Sequence, residues 1–261
     1  MIATLRELVR RRDLLYMLAL RDIRVRYKQS VMGFLWAILM PGLIVAAGIL
    51  VRYGFAVSGR TVVTASEMLA VSVKSIPWAF LVGAIRFSSN SLINNTSLVT
   101  KIYMPREIFP LAATLAQITD LLVALTLLAV LLVVFHVGAS WELLWVIPIL
   151  LIFVLLVAGW GILLAAASLF FRDVKYIVEV FLTFAIFFTP VFYDSSLFPH
   201  YGHWLLLNPV APLLQGLSAT VVYHRAPELP WVAYSTVWAL VTCIGGLALF
   251  KRLEPYFAES I

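Results

Sequence analysis

The feature that most constrains the fold is a set of long apolar stretches without charged residues. Residues 31–51, 143–171 and 231–250 contain no Asp, Glu, Lys or Arg. A helix rises 1.5 Å per residue, so about 20 residues cross the roughly 30 Å hydrocarbon core of a membrane. Three further stretches have nearly the same length but carry a few charges, and the sequence therefore predicts an all-α polytopic membrane protein with six transmembrane helices. The three charged stretches are 68–87, 108–136 and 174–192.

The composition excludes most soluble classes of protein. Of the 261 residues, 63% are hydrophobic and 12% are charged, whereas a typical soluble domain has about 25% charged residues. A soluble enzyme, a disordered regulator and a disulfide-rich secreted module are therefore excluded. The single cysteine, Cys243, lies within the last apolar stretch and has no intrachain partner.

The distribution of basic residues predicts the orientation of the chain. Fifteen of the 19 Lys and Arg residues fall in segments that share one side of the membrane if the chain has six spans. The other side receives only Arg52, Arg60 and Arg225. Basic residues accumulate in cytoplasmic loops, so both termini are predicted to be cytoplasmic in a multi-pass membrane protein. The net charge of +6 then reflects topology and a docking surface, not nucleic-acid binding.

Motifs for catalysis or cofactor binding are not evident in the sequence. None of the five lysines follows a glycine, so the chain has no Gly-Lys-Ser/Thr loop for nucleotide phosphates. The four histidines lie near the predicted outer face without a cysteine or carboxylate to complete a metal site. We therefore predict no enzyme activity and no metal or cofactor in this chain, and the energy for any transport must come from a partner or an ion gradient.

The N-terminal 30 residues combine basic side chains with regularly spaced leucines. One interpretation is a basic amphipathic helix that lies on the anionic inner leaflet. The other is a helix that also docks a cytoplasmic subunit, and the two interpretations are compatible.

Two charged positions within the predicted spans have alternative interpretations. Asp120 is an isolated carboxylate deep in the third span. Such a group is costly in lipid and needs a partner or water. It is either a proton or substrate site, or a structural hydrogen bond to a neighbouring helix, which we favour. Lys74 lies seven residues after Glu67, on the same helix face, and indicates either a polar channel mouth or snorkelling towards the headgroups.

Aromatic residues are frequent inside the spans. Aromatic faces stack on the apolar faces of sugar rings, so a row of them is able to guide a polysaccharide, although lipid-facing packing is the favoured explanation for any single residue. Trp78 directly follows Pro77, at a predicted break in the second span, and ranks first among them. The predicted channel residues are Trp36, Lys74, Trp78, Phe80, Phe184 and Phe188.

Three stretches of the chain resemble one family in particular. Residues 21–41 read RDIRVRYKQSVMGFLWAILMP, residues 95–112 read NTSLVTKIYMPREIFPLA, and residues 171–193 read FRDVKYIVEVFLTFAIFFTPVFY, followed by NPVAPLLQG at 208–216. These sequences resemble the permease subunit of type-2 ABC exporters for lipid-linked polysaccharides such as O-antigen, capsule and teichoic acid.

The resemblance implies a single permease domain over residues 1–261. This domain consists of a cytoplasmic interface helix (1–30), a six-span core (31–250) and a cytoplasmic tail (251–261). It implies a homodimer with two copies of a cytoplasmic ABC ATPase that binds the ATP and Mg²⁺, and a lipid-linked polysaccharide as substrate. The residues implied to couple the permease to the ATPase are Arg21, Arg24, Lys28, Lys101, Ile102, Tyr103, Met104, Pro105, Arg106 and Glu107.

The resemblance also implies re-entrant or gate helices in the outer connection between spans five and six. The residues assigned to this outer gate are Asn208, Pro209, Pro212 and Gln215. The chain departs from the family pattern here, because relatives commonly have Glu-Gly-Phe-Arg where this chain has Gln215-Gly216-Leu217-Ser218. Alternatives are an exporter of a smaller lipid or drug with the same fold, an integral-membrane glycan assembly factor or enzyme, and an ion-coupled carrier that uses Asp120.

Overall fold

The computed structural model describes residues 6–7, 10–28, 35–59, 64–101, 104–195 and 202–258, without the side chains of residues 37, 55 and 59. All regular secondary structure in these ranges is helical. Helix α1, Arg12–Lys28, lies within the predicted interface helix.

Five helices among the described residues are long and apolar enough to cross a membrane. They are α2 (Trp36–Gly59), α3 (Ala65–Ser89), α5 (Ile108–Val134), α6 (Val146–Phe170) and α10 (Leu229–Leu253). The shorter helices are α4 (Thr96–Lys101), α7 (Val174–Phe188), α8 (Gly202–Leu206) and α9 (Val210–Val221). The prediction of an all-helical membrane protein is thereby confirmed.

The structure differs from the predicted spans in two places. The first span was predicted to end before Arg52, but α2 continues past it to Gly59. The Arg52 guanidinium is paired with the Glu67 carboxylate of α3, with 2.5 Å between Nη2 and Oε1, so its charge does not end the helix. The predicted fifth span corresponds to α7, whose 15 residues extend only about 22 Å. The six-span count therefore stays a prediction.

Helix α3 lies at the centre of the bundle and packs against α2, α5, α6 and α9. It remains helical through Pro77, so the predicted break at this residue is not present. The most extensive contact between two described helices is that of α6 with α10. A Cβ on Gly159 of α6 would lie 2.7 Å from the backbone nitrogen of Cys243 in α10, and small residues of this kind let membrane helices approach closely.

A separate apolar core lies at one end of the bundle, which we call the α1 end. Leu18 and Ala19 of α1 pack there with Ile108 at the start of α5 and with Phe250 at the end of α10. Phe257, in the 3₁₀ turn Glu254–Ala258 that follows α10, is fully buried in the same core. Helix α1 and this C-terminal turn are therefore packed onto the ends of the membrane helices.

Candidate functional site

Helix α1 presents one exposed face that combines basic and apolar side chains. Its residues lie at intervals of three or four along the helix, which places them on one side. Together they line a shallow groove of about 620 Å³. All three residues of α1 that were predicted to couple to an ATPase belong to this face, which consists of Met17, Leu20, Arg21, Arg24, Val25 and Lys28. Arg24 and Lys28 are exposed, while Arg21 is half-buried beside Asp22.

The end of α1 is bonded to the middle of α5. The Arg26 guanidinium donates to Asp120 Oδ2 at 2.5 Å and to Gln117 Oε1 at 2.9 Å. Gln117 Nε2 also donates to Asp120 Oδ2, at 2.6 Å, and the Tyr27 hydroxyl donates to Asp120 Oδ1. Burial and the bond to Asp120 raise the pKa of Tyr27 to about 12, so the hydroxyl remains a donor at ordinary pH. Three side chains therefore bond Asp120. This arrangement agrees with the interpretation of Asp120 as a structural hydrogen-bonding residue between neighbouring helices.

Arg26 and Tyr27 were not predicted from the sequence as partners of Asp120. The Arg26 guanidinium also lies over the Phe87 ring of α3, 4.1 Å from its centroid. A signal was present in the sequence, because a lone carboxylate in a span requires a cation and the basic residues nearest to the first span are in α1. Spacing alone does not show which of them reaches Asp120.

The connection between α3 and α5 (residues 90–107) carries the remaining predicted coupling residues. Lys101 is exposed at the end of α4, Met104 is half-buried and Pro105 is buried. Ile102 and Tyr103 lie outside the described residues. Lys101 is thus the residue of this connection whose charge is most available to a partner.

Arg106 and Glu107 are bound to the C-terminal part of the chain. The fully buried Glu107 carboxylate pairs with Lys251 of α10, with 3.0 Å between Oε1 and Nζ. Lys251 also pairs with Glu254 at 2.9 Å. The Arg106 guanidinium donates to the Glu254 carbonyl oxygen at 2.6 Å and lies near the Phe257 ring. Arg106 and Glu107 were both expected to couple the permease to the ATPase. This expectation is corrected for Glu107, because its carboxylate is buried and paired with Lys251.

The predicted channel aromatics fall into two groups. Trp36 of α2 and Phe184 and Phe188 of α7 are exposed, and Phe188 is 71% accessible. Trp78 and Phe80 of α3 are almost fully buried, at 3% and 2%, because α3 is the central helix of the bundle. These two residues face the interior of the protomer, in contrast to the exposed positions expected for a channel between two copies.

Lys74 is also buried, with 1% of its surface exposed. Its Nζ donates to the Tyr193 carbonyl oxygen and to Asp194 Oδ1, both at 2.8 Å. The ammonium group therefore joins α3 to the segment after α7, in contrast to the channel position assigned from the sequence. Neither snorkelling nor a polar channel mouth is needed to explain it, because Asp194 supplies the counter-charge.

The predicted outer gate contains two short helices, α8 and α9. Asn208 Oδ1 accepts from the Val210 backbone nitrogen at 3.1 Å, and Asn208 Nδ2 donates to Thr189 Oγ1 at 2.9 Å. Pro209 directly precedes α9, Pro212 is buried in its first turn, and Gln215 Oε1 accepts from Ser195 Oγ at 3.3 Å. Nearly every residue of α9 is buried, and the helix packs against α3, α6 and α10.

The histidines are dispersed in the part of the chain that the structure describes. His224 Nδ1 lies 3.1 Å from Ser140 Oγ, His203 is exposed, and His136 lies in the turn after α5 with a φ of 53°. His200 lies outside the described residues. Within those residues, no group of three His, Cys, Asp or Glu side chains is arranged to hold a metal ion.

Comparison with known proteins agrees with this architecture. Residues 13–222 match the model of the family described as ABC-2 type transporter. A Klebsiella pneumoniae protein named O-antigen export system permease protein RfbA is 28% identical over 252 residues, which is 95% of each chain. A Myxococcus xanthus protein of the same name is 28% identical over 265 residues, and the match covers the full length of both chains.

A third relative comes from a different polysaccharide system. The polysialic acid transport protein KpsM of Escherichia coli is 25% identical over 256 residues, or 93% of this chain and 94% of the relative. The family match covers most of the bundle, including α1, the connection between α3 and α5, and α9. The chain belongs to the ABC-2 type transporter family.

Proposed function

We propose that this chain is the channel-forming subunit of an ATP-driven exporter that moves a lipid-linked polysaccharide from the cytoplasmic to the outer face of the inner membrane. It would act as a homodimer with two copies of a cytoplasmic ATPase, which binds and hydrolyses the ATP. The observation that carries the proposal is the exposed basic face of α1 together with its bonds to Asp120 in α5. The names of the relatives support a polysaccharide as the substrate.

The coupling between ATPase and channel would run through α1. A partner that binds Arg24 and Lys28 moves a helix whose last turn is bonded to a membrane helix. Because Arg26 and Tyr27 both bond Asp120, a displacement of α1 is transmitted to α5 and is not absorbed by a flexible joint.

A second route would run through the connection between α3 and α5. Lys101 offers a charge to the ATPase, while Arg106 and Glu107 fasten the same connection to Lys251 and Glu254. A force on this connection would therefore reach α10 as well as α3 and α5. Both routes start at the α1 end, which we assign to the cytoplasm because the basic residues concentrate there.

In this proposal each copy has six spans, because α7 and the residues after it cross the membrane together as one span. The apolar run continues past Phe188 to Phe192, and Val191 and Phe192 are buried in the protein. Irregular backbone at membrane depth is tolerated where protein covers it. Six spans place both termini on the cytoplasmic side.

The channel would form where two copies meet. Helix α7 has many exposed large apolar side chains, including Phe181, Phe184, Phe187 and Phe188, and packs only lightly against the rest of the bundle. We assign this face and Trp36 to the channel or the dimer interface, and exclude the buried Trp78 and Phe80. Helices α8 and α9, with Asn208, Pro209, Pro212 and Gln215, would form the outer gate.

Deletion of the gene in its native host tests the proposal. We expect surface polysaccharide to disappear and lipid-linked polymer to accumulate inside the cell, and the wild-type gene to restore export. Normal surface polysaccharide in the deletion strain would contradict the proposal. Loss of a small lipid or of drug resistance with intact polysaccharide would instead favour an exporter of smaller substrates.

A further inference from the structure

An apolar groove runs between α3, α6 and α7 within one copy of the chain. Its volume is about 470 Å³, and its walls include Trp78 and Ile85 of α3, Trp160 of α6, and Phe181 and Ala185 of α7. The hydrogen bond between Asn208 and Thr189 lies at the end of the groove that is farther from the α1 end. The groove offers almost no hydrogen-bonding group along its walls, so it is suited to hydrocarbon and not to sugar.

A polar depression of about 190 Å³ lies next to the groove, towards the α1 end. Val178 and Leu182 line both cavities, so the two are adjacent. The polar part is lined by Arg86, Ser89 and Asn90 at the end of α3 and by Lys175 and Glu179 at the start of α7. Two cations and one carboxylate therefore give this end a net positive charge.

The order of these residues along the two helices fixes the direction of the site. Helix α3 approaches the α1 end as it passes from Trp78 to Arg86, a rise of about 12 Å. Helix α7 leaves that end as it passes from Lys175 to Ala185. Both helices therefore place the cations at the membrane surface and the apolar walls towards its centre, which is the polarity of a lipid in the cytoplasmic leaflet.

We propose that this site binds a single-chain lipid phosphate, with the phosphate at Arg86 and Lys175 and the hydrocarbon chain between α3, α6 and α7. The inference rests on the proposed function, in which the substrate is carried by a lipid, and it identifies the carrier lipid as the occupant. The two cations at the polar end complement a phosphate, and the adjacent groove accepts only hydrocarbon.

The charges at the polar end are available for a phosphate. Arg86 pairs with Glu179 at 3.1 Å, but the two side chains are 51% and 57% exposed, and exposed pairs of this kind contribute little. A guanidinium binds phosphate through two parallel hydrogen bonds. A phosphate is thus able to replace Glu179 as the partner of Arg86, while Lys175 adds a second positive charge.

The size of the groove favours a lipid with one chain. The apolar part is one cavity of about 470 Å³, and a single hydrocarbon chain needs less of this volume than the two chains of a common phospholipid. The absence of polar groups on the walls argues against the sugar part of the substrate at this depth. A two-chain phospholipid is therefore the competing occupant that the experiment must separate.

Photolabelling of the purified permease–ATPase complex tests the proposal. The probe is a polyprenyl phosphate with a diazirine in its chain, in nanodiscs of zwitterionic phospholipid without ATP or polysaccharide. We expect labelled peptides from α3, α6 and α7, competed by unlabelled polyprenyl phosphate and not by phosphatidylglycerol. Replacing both cations (Arg86→Gln with Lys175→Gln) should lower labelling about tenfold or more, since each removes a charge-assisted contact.

Four controls keep the result specific. Arg252→Gln removes an exposed charge from the same end of the molecule and should leave labelling unchanged, and Arg86→Lys should retain part of it. Ala185→Phe fills the groove without a change in charge and should lower labelling as well. A polyprenol probe without phosphate should label weakly.

Several outcomes would overturn the inference. They are equal labelling by polyprenol, full competition by phosphatidylglycerol, labelling confined to other helices, and unchanged labelling in the double variant. Because labelling is measured without ATP, these outcomes leave the proposed export function intact. The proposed export function would instead be contradicted by normal surface polysaccharide in the deletion strain.

Discussion

The Arg26 guanidinium of α1 and the Asp120 carboxylate of α5 form an ion pair across 94 residues of sequence, with 2.5 Å between Nη1 and Oδ2. Gln117 and Tyr27 complete the bonding of Asp120. The contact joins the helix proposed to bind the ATPase to a helix that is long enough to span the membrane. It gives a structural role to a carboxylate that would otherwise be costly in lipid.

Breaking this pair should uncouple ATP hydrolysis from export. We expect Asp120→Asn and Arg26→Gln each to destabilise the protein by about 1–3 kcal/mol, because a charged hydrogen-bonding partner is left behind. Export should fall more than ATP hydrolysis does. The measurement is thermal stability in detergent together with both activities.

A double-mutant cycle provides the control for the pair. The combined variant Arg26→Gln/Asp120→Asn should be less destabilised than the sum of the single variants, since the double variant leaves no lone charge. Additive effects, or single variants with wild-type stability and export, would contradict the coupling role.

The pair between Glu107 and Lys251 should matter most when only one member is removed. Lys251→Met leaves the fully buried Glu107 carboxylate without its cation, which should cost about 3 kcal/mol or more. Lys251→Met combined with Glu107→Leu should recover much of that loss. Unfolding of the purified variants measures the effect, and an equally unstable double variant would show that another feature of Glu107 is responsible.

A charge reversal at Lys101 should weaken ATPase binding without harming the fold. Lys101 is exposed at the end of α4, so Lys101→Glu should lower co-purification of the ATPase severalfold while thermal stability stays within about 0.5 kcal/mol. Arg225→Glu, an exposed reversal at the predicted outer side, is the matched control. Arg106 is unsuitable for this test because it donates to the Glu254 carbonyl oxygen. Unchanged co-purification in Lys101→Glu would remove this residue from the interface.

The ion pair of Lys74 should hold the segment after α7 against α3. Asp194→Asn removes the counter-charge of a buried ammonium and should destabilise the protein by about 2 kcal/mol. Lys74→Met should also be destabilising, but the two changes together should cost less than their sum. If Lys74 instead binds substrate, Lys74→Met will impair export while leaving the stability of the purified protein unchanged.

The contact between α6 and α10 depends on Gly159. An added methyl group would meet Cys243 backbone nitrogen at 2.7 Å, so Gly159→Ala should destabilise the protein by about 1–3 kcal/mol through overpacking. Gly245→Ala in α10 is the control, because its Cβ would have no atom within 4 Å and alanine favours helix. Equal melting temperatures for the two variants would contradict the close packing.

The sequence predicted the features that depend on local pattern. Uncharged stretches identify membrane helices because lipid excludes charge, and α6 and α10 lie close to their predicted bounds. The basic face of α1 was also predictable, since helical spacing places Arg21, Arg24 and Lys28 on one side.

The features that were missed depend on pairs of charges far apart in the chain. Asp194 neutralises Lys74 from 120 residues away, and Arg52 lies inside α2 because Glu67 pairs with it. Glu107 was expected at the surface because charged side chains usually lie there, but pairing with Lys251 allows its carboxylate to be buried. Spacing along one helix cannot identify such partners, so charges inside or beside the spans were assigned to the channel or to docking.

The central claim is that ATP hydrolysis by a partner drives polysaccharide through this permease, and transport in sealed vesicles tests it most directly. In inverted vesicles the outer face of the membrane faces the lumen. Vesicles that contain the permease and its ATPase should therefore accumulate lipid-linked polysaccharide on the lumenal face only when ATP is supplied. Vesicles with Asp120→Asn should hydrolyse ATP with little accumulation. Accumulation that is independent of ATP, or that persists when the permease is omitted, would contradict the account.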